Sequence, residues 1–87
     1  MKENTKQKFA NYTEEQLRSE IRESWKGFKG MADNQAETNL EKFVENDNQA
    51  AGTRARGALQ EMIKMAKAMR LAIQQIKKLR ENKRNKK

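Results

Sequence analysis

Apolar side chains recur at helical spacing along the first half of the chain. From Leu17 to Phe43 they lie three or four residues apart, the period of one face of an α-helix. These positions are Leu17, Ile21, Trp25, Phe28, Ala32, Ala36, Leu40 and Phe43. Thr13 and Gln16 have the spacing of a capping box, and Tyr12 and Leu17 that of a hydrophobic staple. The pattern therefore predicts a helix that begins at Thr13 and extends to about residue 45.

This first helical region also contains signals of an interruption. Gly27 and Gly30 each disfavour a helix interior by about 1 kcal/mol relative to alanine. Asp33 and Asn34 are residue types that cap a new helix start. We therefore expect a kink or a short break between about Gly27 and Asn34.

The second half of the chain has a stricter pattern. Beyond residue 48, small and apolar residues alternate between spacings of three and four, as in the a and d positions of a coiled coil. They are Gly52, Ala55, Leu59, Met62, Ala66, Met69, Ile73 and Ile76, and the stripe is widened by Ala58, Ile63, Met65, Ala72 and Leu79. Polar residues 45–48 predict a turn, with Asn48 as the cap of the next helix. We expect that helix to run from about Gln49 to about Arg80.

Two helical regions of similar length, joined by a tight turn, predict an all-α antiparallel helical hairpin. We expect residues 1–12 to be a disordered tail, residues 13–80 to form the hairpin domain, and residues 81–87 to be a basic C-terminal tail. A hairpin of this size buries little apolar surface, so we expect a homodimer or a higher homo-oligomer that forms a helical bundle. The expected self-association residues are Leu59, Met62, Ala66, Met69, Ile73 and Ile76.

The composition excludes most catalytic chemistry. The chain has 87 residues with no His and no Cys, so thiolate nucleophiles, imidazole bases, disulfides and the usual zinc sites are excluded. No positioned acid/base pair or nucleophile is recognisable, and we expect a protein with no catalytic residue, no metal site and no cofactor. The sequence has neither a signal-peptide apolar region nor an apolar run of about 20 residues, which indicates a soluble cytoplasmic protein.

Charge is distributed unevenly along the chain. The formal net charge is +8, but residues 1–50 carry 8 basic and 10 acidic side chains whereas residues 51–87 carry 12 and 2. Residues 62–80 contain no Asp or Glu, so ion pairs within the helix cannot neutralise its cations. This surplus predicts a polyanionic partner for the second helix, with a merely solvated helix surface as the alternative.

A motif at the start of the predicted second helix resembles a known family. Residues 48–61 read Asn-Gln-Ala-Ala-Gly-Thr-Arg-Ala-Arg-Gly-Ala-Leu-Gln-Glu. The Ala-Ala-Gly-Thr-Arg-x-Arg core is similar to that of short bacterial histone-like proteins related to the chlamydial linker-histone-like protein, with a resemblance over about residues 38–80. The resemblance implies a non-enzymatic, nucleoid-associated protein that binds DNA without strong sequence preference, compacts it and self-associates. Gly57 stands where the family has Lys, and residues 80–87 stand in place of a long Ala/Lys-rich tail.

Basic residues of the second helix and tail are the candidate nucleic-acid-binding residues. Each cation that meets a phosphate releases condensed counterions, so spaced cations suffice for sequence-independent binding to duplex DNA. Arg54 and Arg56 also lie near the helix N-terminus, where the dipole favours a phosphate. The full set is Arg54, Arg56, Lys64, Lys67, Arg70, Lys77, Lys78, Arg80, Lys83, Arg84, Lys86 and Lys87.

Other interpretations stay open beside DNA binding. A helical scaffold protein whose basic arm contacts RNA or an acidic protein would have the same composition, and either a chromosome or a packaged phage genome would fit. A membrane-surface helix over residues 59–84 is disfavoured, because no aromatic residue follows Phe43. Trp25, Phe28 and Phe43 have the chemistry to stack on unpaired bases, but their place on the apolar face favours core packing.

Overall fold

The chain folds as an antiparallel helical hairpin in a computed structural model, which confirms the predicted all-α fold class. The structure describes residues 9–85, with side chains described for residues 9–83. Helix α1 is Glu14–Met31, a π-helical turn is Ala32–Ala36, α2 is Glu37–Asn46, and α3 is Gln49–Asn85. The first three elements form one arm, and α3 forms the other. The molecule measures 62 × 25 × 15 Å.

Helix α1 begins at the predicted capping box. Thr13 Oγ1 accepts from the backbone N–H of Gln16 at 3.1 Å, and Gln16 Oε1 accepts from the N–H of Thr13 at 2.9 Å. These bonds satisfy two of the amide donors that a helix N-terminus otherwise leaves unpaired. Tyr12 packs against the core cluster that contains Leu17, as the hydrophobic staple predicts.

Residues just before α1 belong to the packed structure. Phe9 is 2% exposed and clusters with Leu17, Ala72 and Ile76, and its ring meets that of Tyr12 edge-on with centroids 5.1 Å apart. The expectation of a disordered tail is therefore wrong for residues 9–12, because burying these aromatic rings offsets the entropy lost on ordering the segment. Residues 1–8, the rest of that expected tail, lie outside the described residues.

The interruption in the first arm is a π turn, and the arm stays helical throughout. Gly27 and Gly30 lie inside α1, and Asp33 and Asn34 lie inside the π turn, where neither caps a new helix. The N–H of Glu37 donates to the carbonyl of Ala32, five residues back. The prediction of an irregularity in this region was thus correct in its approximate place, whereas a break with a fresh cap was wrong.

The π turn changes which residues of the first arm face α3. An uninterrupted α-helix would place Gln35 and Thr38 on the face of Met31, at spacings of four and seven. Because the π turn inserts one residue, Ala36 and Asn39 take those places, and both are buried. A small residue and a hydrogen-bonded amide therefore occupy this part of the contact between the arms.

The hairpin turn consists of Asp47 and Asn48. Asp47 adopts a left-handed backbone conformation with φ 53°, which Asp tolerates better than most residues. The N–H groups of Asp47 and Asn48 both donate to the carbonyl of Lys42. Asn48 Oδ1 then accepts from the N–H of Ala51 at 3.1 Å, so Asn48 caps α3 as predicted.

The arms meet along a stripe of α3 that differs in part from the predicted one. Its members, all buried or half-buried, are Ala51, Ala55, Ala58, Met62, Met65, Met69, Ala72, Ile76 and Leu79. The spacing of three and four is as predicted, but Leu59 and Ile73 lie outside this seam and are 41% and 45% exposed. Alanine at four seam positions lets the helices approach closely, whereas larger side chains there would hold them apart.

Helix α3 continues to Asn85, five residues beyond its predicted end. Its last turns have partners on the other arm, which the sequence pattern does not reveal. Leu79 packs against the core cluster of Phe9 and Leu17, and Arg80 forms an ion pair with Glu14 at 2.9 Å. These contacts stabilise the segment that like charges alone would fray.

Two glycines of α3 provide a test of the close approach of the arms. A Cβ at Gly52 would lie 2.6 Å from Phe43 Cδ1, whereas a Cβ at Gly57 would have no neighbour within 4 Å. We expect Gly57→Ala to raise the free energy of unfolding by about 0.5–1 kcal/mol through helix propensity. Gly52→Ala should instead lower it by about 1 kcal/mol, because the ring of Phe43 must move. Urea unfolding measures both, and equal stabilisation by the two substitutions would contradict the close approach.

Candidate nucleic-acid interface

The structure separates nine of the twelve predicted DNA-binding cations into two groups. Three of them contact other side chains of the hairpin: Arg54, Lys64 and Arg80. Six are exposed and, within residues 9–83, have neither an ion pair nor a side-chain hydrogen bond: Arg56, Lys67, Arg70, Lys77, Lys78 and Lys83. The side chains of the remaining three, Arg84, Lys86 and Lys87, lie outside the described part of the chain.

Arg54 connects α3 to the first arm. Its Nε donates to Asn39 Oδ1 at 2.9 Å, and Asn39 Nδ2 donates to the carbonyl of Gln35 at 2.7 Å. Asn39 is 6% exposed and is the one buried polar residue among those described. Because both polar ends of this amide are paired, its burial costs little. Arg54 therefore holds the α3 start against the segment that follows the π turn.

Arg80 fastens the other end of the hairpin. Its guanidinium donates twice to Glu14 Oε2, at 2.9 and 3.2 Å, and Arg18 donates to the same oxygen at 3.0 Å. Hydrogen bonds from Arg80 and then Arg18 lower the pKa of Glu14 below its ordinary value. The carboxylate stays charged at neutral pH, so part of the charge of Arg80 is neutralised within the hairpin.

Lys64 has a weaker attachment. Its Nζ lies 3.4 Å from Glu61 Oε2, and both side chains are more than half exposed. Exposed pairs of this kind contribute at most about 1 kcal/mol. Lys64 thus remains available to a stronger anion.

Four of the unpaired cations form a row on the outer side of α3. We call Arg56, Lys67, Arg70 and Lys77 the outer cationic row. Arg56, Arg70 and Lys77 occupy one heptad column, and Lys67 lies in the adjacent column, so all four point away from the first arm. From Arg56 to Lys77 the row extends about 31 Å at 1.5 Å per residue. This length is close to one turn of duplex DNA, about 34–36 Å.

Large apolar side chains are exposed beside the seam. Leu40, Phe43 and Leu59 line one shallow depression together with Arg56. Ile63 and Ile73 are also about half exposed. Ile73 lies in the heptad column of Leu59, whereas Ile63 lies in the column of Arg56 and Arg70. We call Leu40, Phe43, Val44, Leu59 and Ile73 the apolar flank.

The predicted self-association residues are not all accessible. Leu59 and Ile73 belong to the apolar flank, and Met62, Ala66 and Met69 are half-buried. Ile76 is 7% exposed because it packs in the core cluster with Leu17. The sequence pattern could not separate the side of the stripe that faces the other arm from the side that does not.

Trp25 is a further exposed aromatic residue, and the prediction of core packing for it was wrong. It is 51% exposed and stacks on half-buried Phe28 with ring centroids 5.6 Å apart and planes 13° from parallel. Its surroundings include Arg22, Lys26 and Lys29. These three cations were missed as candidates because the first half of the chain is acidic overall, although their spacing of four and three places them on one side of a helix.

The described residues hold no group of three His, Cys, Asp or Glu side chains able to bind a metal ion. Among them there is also no helix with the length and apolar character needed to cross a bilayer.

Comparison with known protein families gives a match over most of the chain. A family model described as "Histone H1-like protein Hc1" matches residues 15–79. This range begins in α1 and ends near the end of α3, so it covers both arms and starts well before the resemblance apparent at residues 38–80. No curated protein and no solved structure gives a match.

A double-mutant cycle tests the role of Arg54. We expect Arg54→Ala to lower the free energy of unfolding by about 1–2 kcal/mol, because it leaves the buried Asn39 oxygen without a donor. Arg56→Ala, two residues away on the exposed side, should change it by less than about 0.5 kcal/mol. In an Asn39→Ala background the effect of Arg54→Ala should largely vanish. Additive effects of the two substitutions, measured by urea unfolding, would contradict the pairing.

Proposed function

The chain belongs to the histone H1-like protein Hc1 family, and from this membership we propose that it binds and compacts duplex DNA through the outer surface of α3. Membership indicates a DNA-binding nucleoid protein in general. The finer proposal concerns which residues bind and how. It assigns no catalytic role to any residue and places the protein on DNA at the nucleoid.

The outer cationic row is the observation that carries this proposal. Its four side chains are exposed and unpaired within the described part of the chain, so they pay no cost of breaking internal ion pairs when they meet phosphates. Binding neutralises phosphates and releases their counterions, an entropic gain that does not depend on base sequence. The length of the row suits one turn of a duplex lying along α3.

Further cations would extend this surface. Lys78 is exposed and unpaired, and Lys64 is held only by an exposed ion pair. Lys83 is also exposed and unpaired, but it follows Ile76 by seven residues and lies beside Tyr12 and Glu14, on the side of α3 that faces the first arm. We propose that Arg84, Lys86 and Lys87 add phosphate contacts at the C-terminal end. The sequence also predicts Arg54 and Arg80 as DNA-binding residues, but we propose that they chiefly hold the hairpin together.

Self-association is a second part of the proposal. The apolar flank exposes five large side chains on a molecule whose buried core is made mostly of alanine. Covering this flank with a second copy of the chain would remove it from water, and the hydrophobic effect favours such burial by about 25 cal/mol per Å². We therefore propose a homodimer or higher oligomer built on the apolar flank. Of the six residues that the sequence predicts for self-association, Leu59 and Ile73 belong to this contact and Ile76 does not.

Salt dependence tests the DNA-binding proposal. For random-sequence duplex DNA, the logarithm of the association constant should fall with the logarithm of salt concentration with a slope of about −3.6 from the four cations of the outer cationic row, and steeper by about 0.9 for each further cation that meets a phosphate. The triple variant Lys67→Gln, Arg70→Gln, Lys77→Gln should reduce the steepness by about three. Lys42→Gln, on the first arm, serves as the control and should leave the slope nearly unchanged. Equal slopes for the wild type and the triple variant would refute binding through the outer cationic row.

Matched charge substitutions test the self-association proposal. Leu59→Glu with Ile73→Glu should convert the oligomer into a folded monomer, because it places charge in the buried contact. Gln60→Glu with Gln74→Glu adds the same charge at exposed polar positions and should leave the mass unchanged. Sedimentation equilibrium at high salt gives the mass of each variant. A wild-type protein that is already monomeric, or equal dissociation by both pairs, would rule out the apolar flank as the contact.

A further inference from the structure

The first arm carries a basic surface of its own, centred on Trp25. We infer that this surface binds the backbone of a second duplex segment, so that a single hairpin bridges two stretches of DNA. The inference rests on the proposed function, because it takes binding through α3 as the first contact. We call Arg22, Trp25, Lys26 and Lys29 the α1 patch.

The cations of the α1 patch lie together on one shallow concave surface, which Glu23 and Asp33 also line. Lys26 and Lys29 are exposed and have no ion-pair partner within the described part of the chain. Arg22 lies 3.7 Å from Glu15, but both side chains are mostly exposed and the pair is weak. The three cations therefore remain free to meet phosphates despite the two acidic neighbours.

Trp25 adds a contact that lysines alone would lack. Phe28 stacks against one face of its indole and holds it in place, while half of the side chain remains exposed. Its indole N–H makes no hydrogen bond in the described structure and is a donor without acceptor character. Amphipathic rings of this type favour surfaces that are apolar on one side and polar on the other. A sugar-phosphate backbone offers this combination, because deoxyribose can pack against the ring and a phosphate oxygen can accept a hydrogen bond from the N–H.

Position makes the α1 patch a separate surface from the outer cationic row. Gly27, beside Lys26, faces Met65 in the seam, where a Cβ at Gly27 would be 3.4 Å from the Met65 side chain. Ser24 is half-buried on the seam side of α1. Lys26 lies two residues further along, about 200° around the helix, so its side chain points away from α3. The row on α3 likewise points away from α1. The two surfaces lie on opposite edges of the hairpin, whose intermediate dimension is 25 Å.

This separation is sufficient for two duplexes. Charges in solution are screened over about 8 Å at physiological ionic strength, so two backbones held a molecule's width apart repel each other little. Acidic residues lie at both ends of the first arm and confine its DNA contact to the middle. They include Glu14, Glu15, Glu37 and Glu41. The second contact is accordingly shorter and weaker than the first.

A capture assay tests the inference directly. One duplex is immobilised on beads, protein is added, and retention of a second, fluorescent duplex measures bridging. Lys26→Gln with Lys29→Gln should keep the affinity for a single duplex within about twofold and reduce capture by roughly fivefold or more, because only the second contact loses its phosphate partners. Lys42→Gln, the third lysine of the first arm, is the control and should capture as the wild type does. Circular dichroism confirms that each variant is folded.

Trp25 provides an independent readout, since it is the single tryptophan of the chain. Its fluorescence should change in a second, weaker phase of a duplex titration, and this phase should be absent in the double lysine variant. Capture that persists in that variant, or is abolished only by Leu59→Glu with Ile73→Glu, would overturn the α1 patch and assign bridging to self-association. An equal loss of single-duplex affinity and capture would also overturn it. Failure of the wild type to bind any duplex would instead overturn the proposed function itself.

Discussion

Close packing of the two arms along a line of small side chains is the constraint on which the rest of the molecule depends. The buried alanines of this seam are Ala36, Ala51, Ala55, Ala58 and Ala72. They let the helix backbones approach, but they bury little apolar surface. The large side chains that would enlarge a core, such as Leu59 and Ile73, consequently remain outside. The π turn maintains this seam by shifting the first arm by one residue, so that Ala36 and Asn39 face α3.

The Arg-x-Arg pair of the motif illustrates how helix geometry directs two cations that are close in sequence to opposite sides of α3. Residues two apart on an α-helix point about 200° away from each other, so both cannot face one surface. Arg54 turns toward Asn39 and holds the arms together, whereas Arg56 begins the outer cationic row. A motif that resembles a DNA-binding signature is therefore also part of the hairpin's own framework. Loss of Arg54 would weaken the contact between the two arms. In the proposed binding mode its main effect is therefore on the structure of the hairpin, and loss of a phosphate contact is secondary.

Local signals in the sequence predicted most of the fold, since the capping box at Thr13, the Asn48 cap and the heptad spacing each depend on neighbouring residues. Features that depend on distant contacts were missed. The pattern on α3 placed Leu59 in the stripe and Ala58 beside it, whereas packing against the first arm buries the alanine and leaves Leu59 exposed. The docking of Phe9 and the exposure of Trp25 have the same origin, because an aromatic residue at helical spacing fits a core or a surface equally well.

The central claim is that the outer surface of α3 meets DNA while Arg54 stays in the seam. Nuclear magnetic resonance of the isotopically labelled protein, with one short random duplex added per chain, tests it most directly. Resonances of Arg56, Lys67, Arg70 and Lys77 should shift on binding, whereas the side-chain amide of Asn39 should not. Shifts centred on Asn39 and Arg54, with the outer cationic row unchanged, would contradict it.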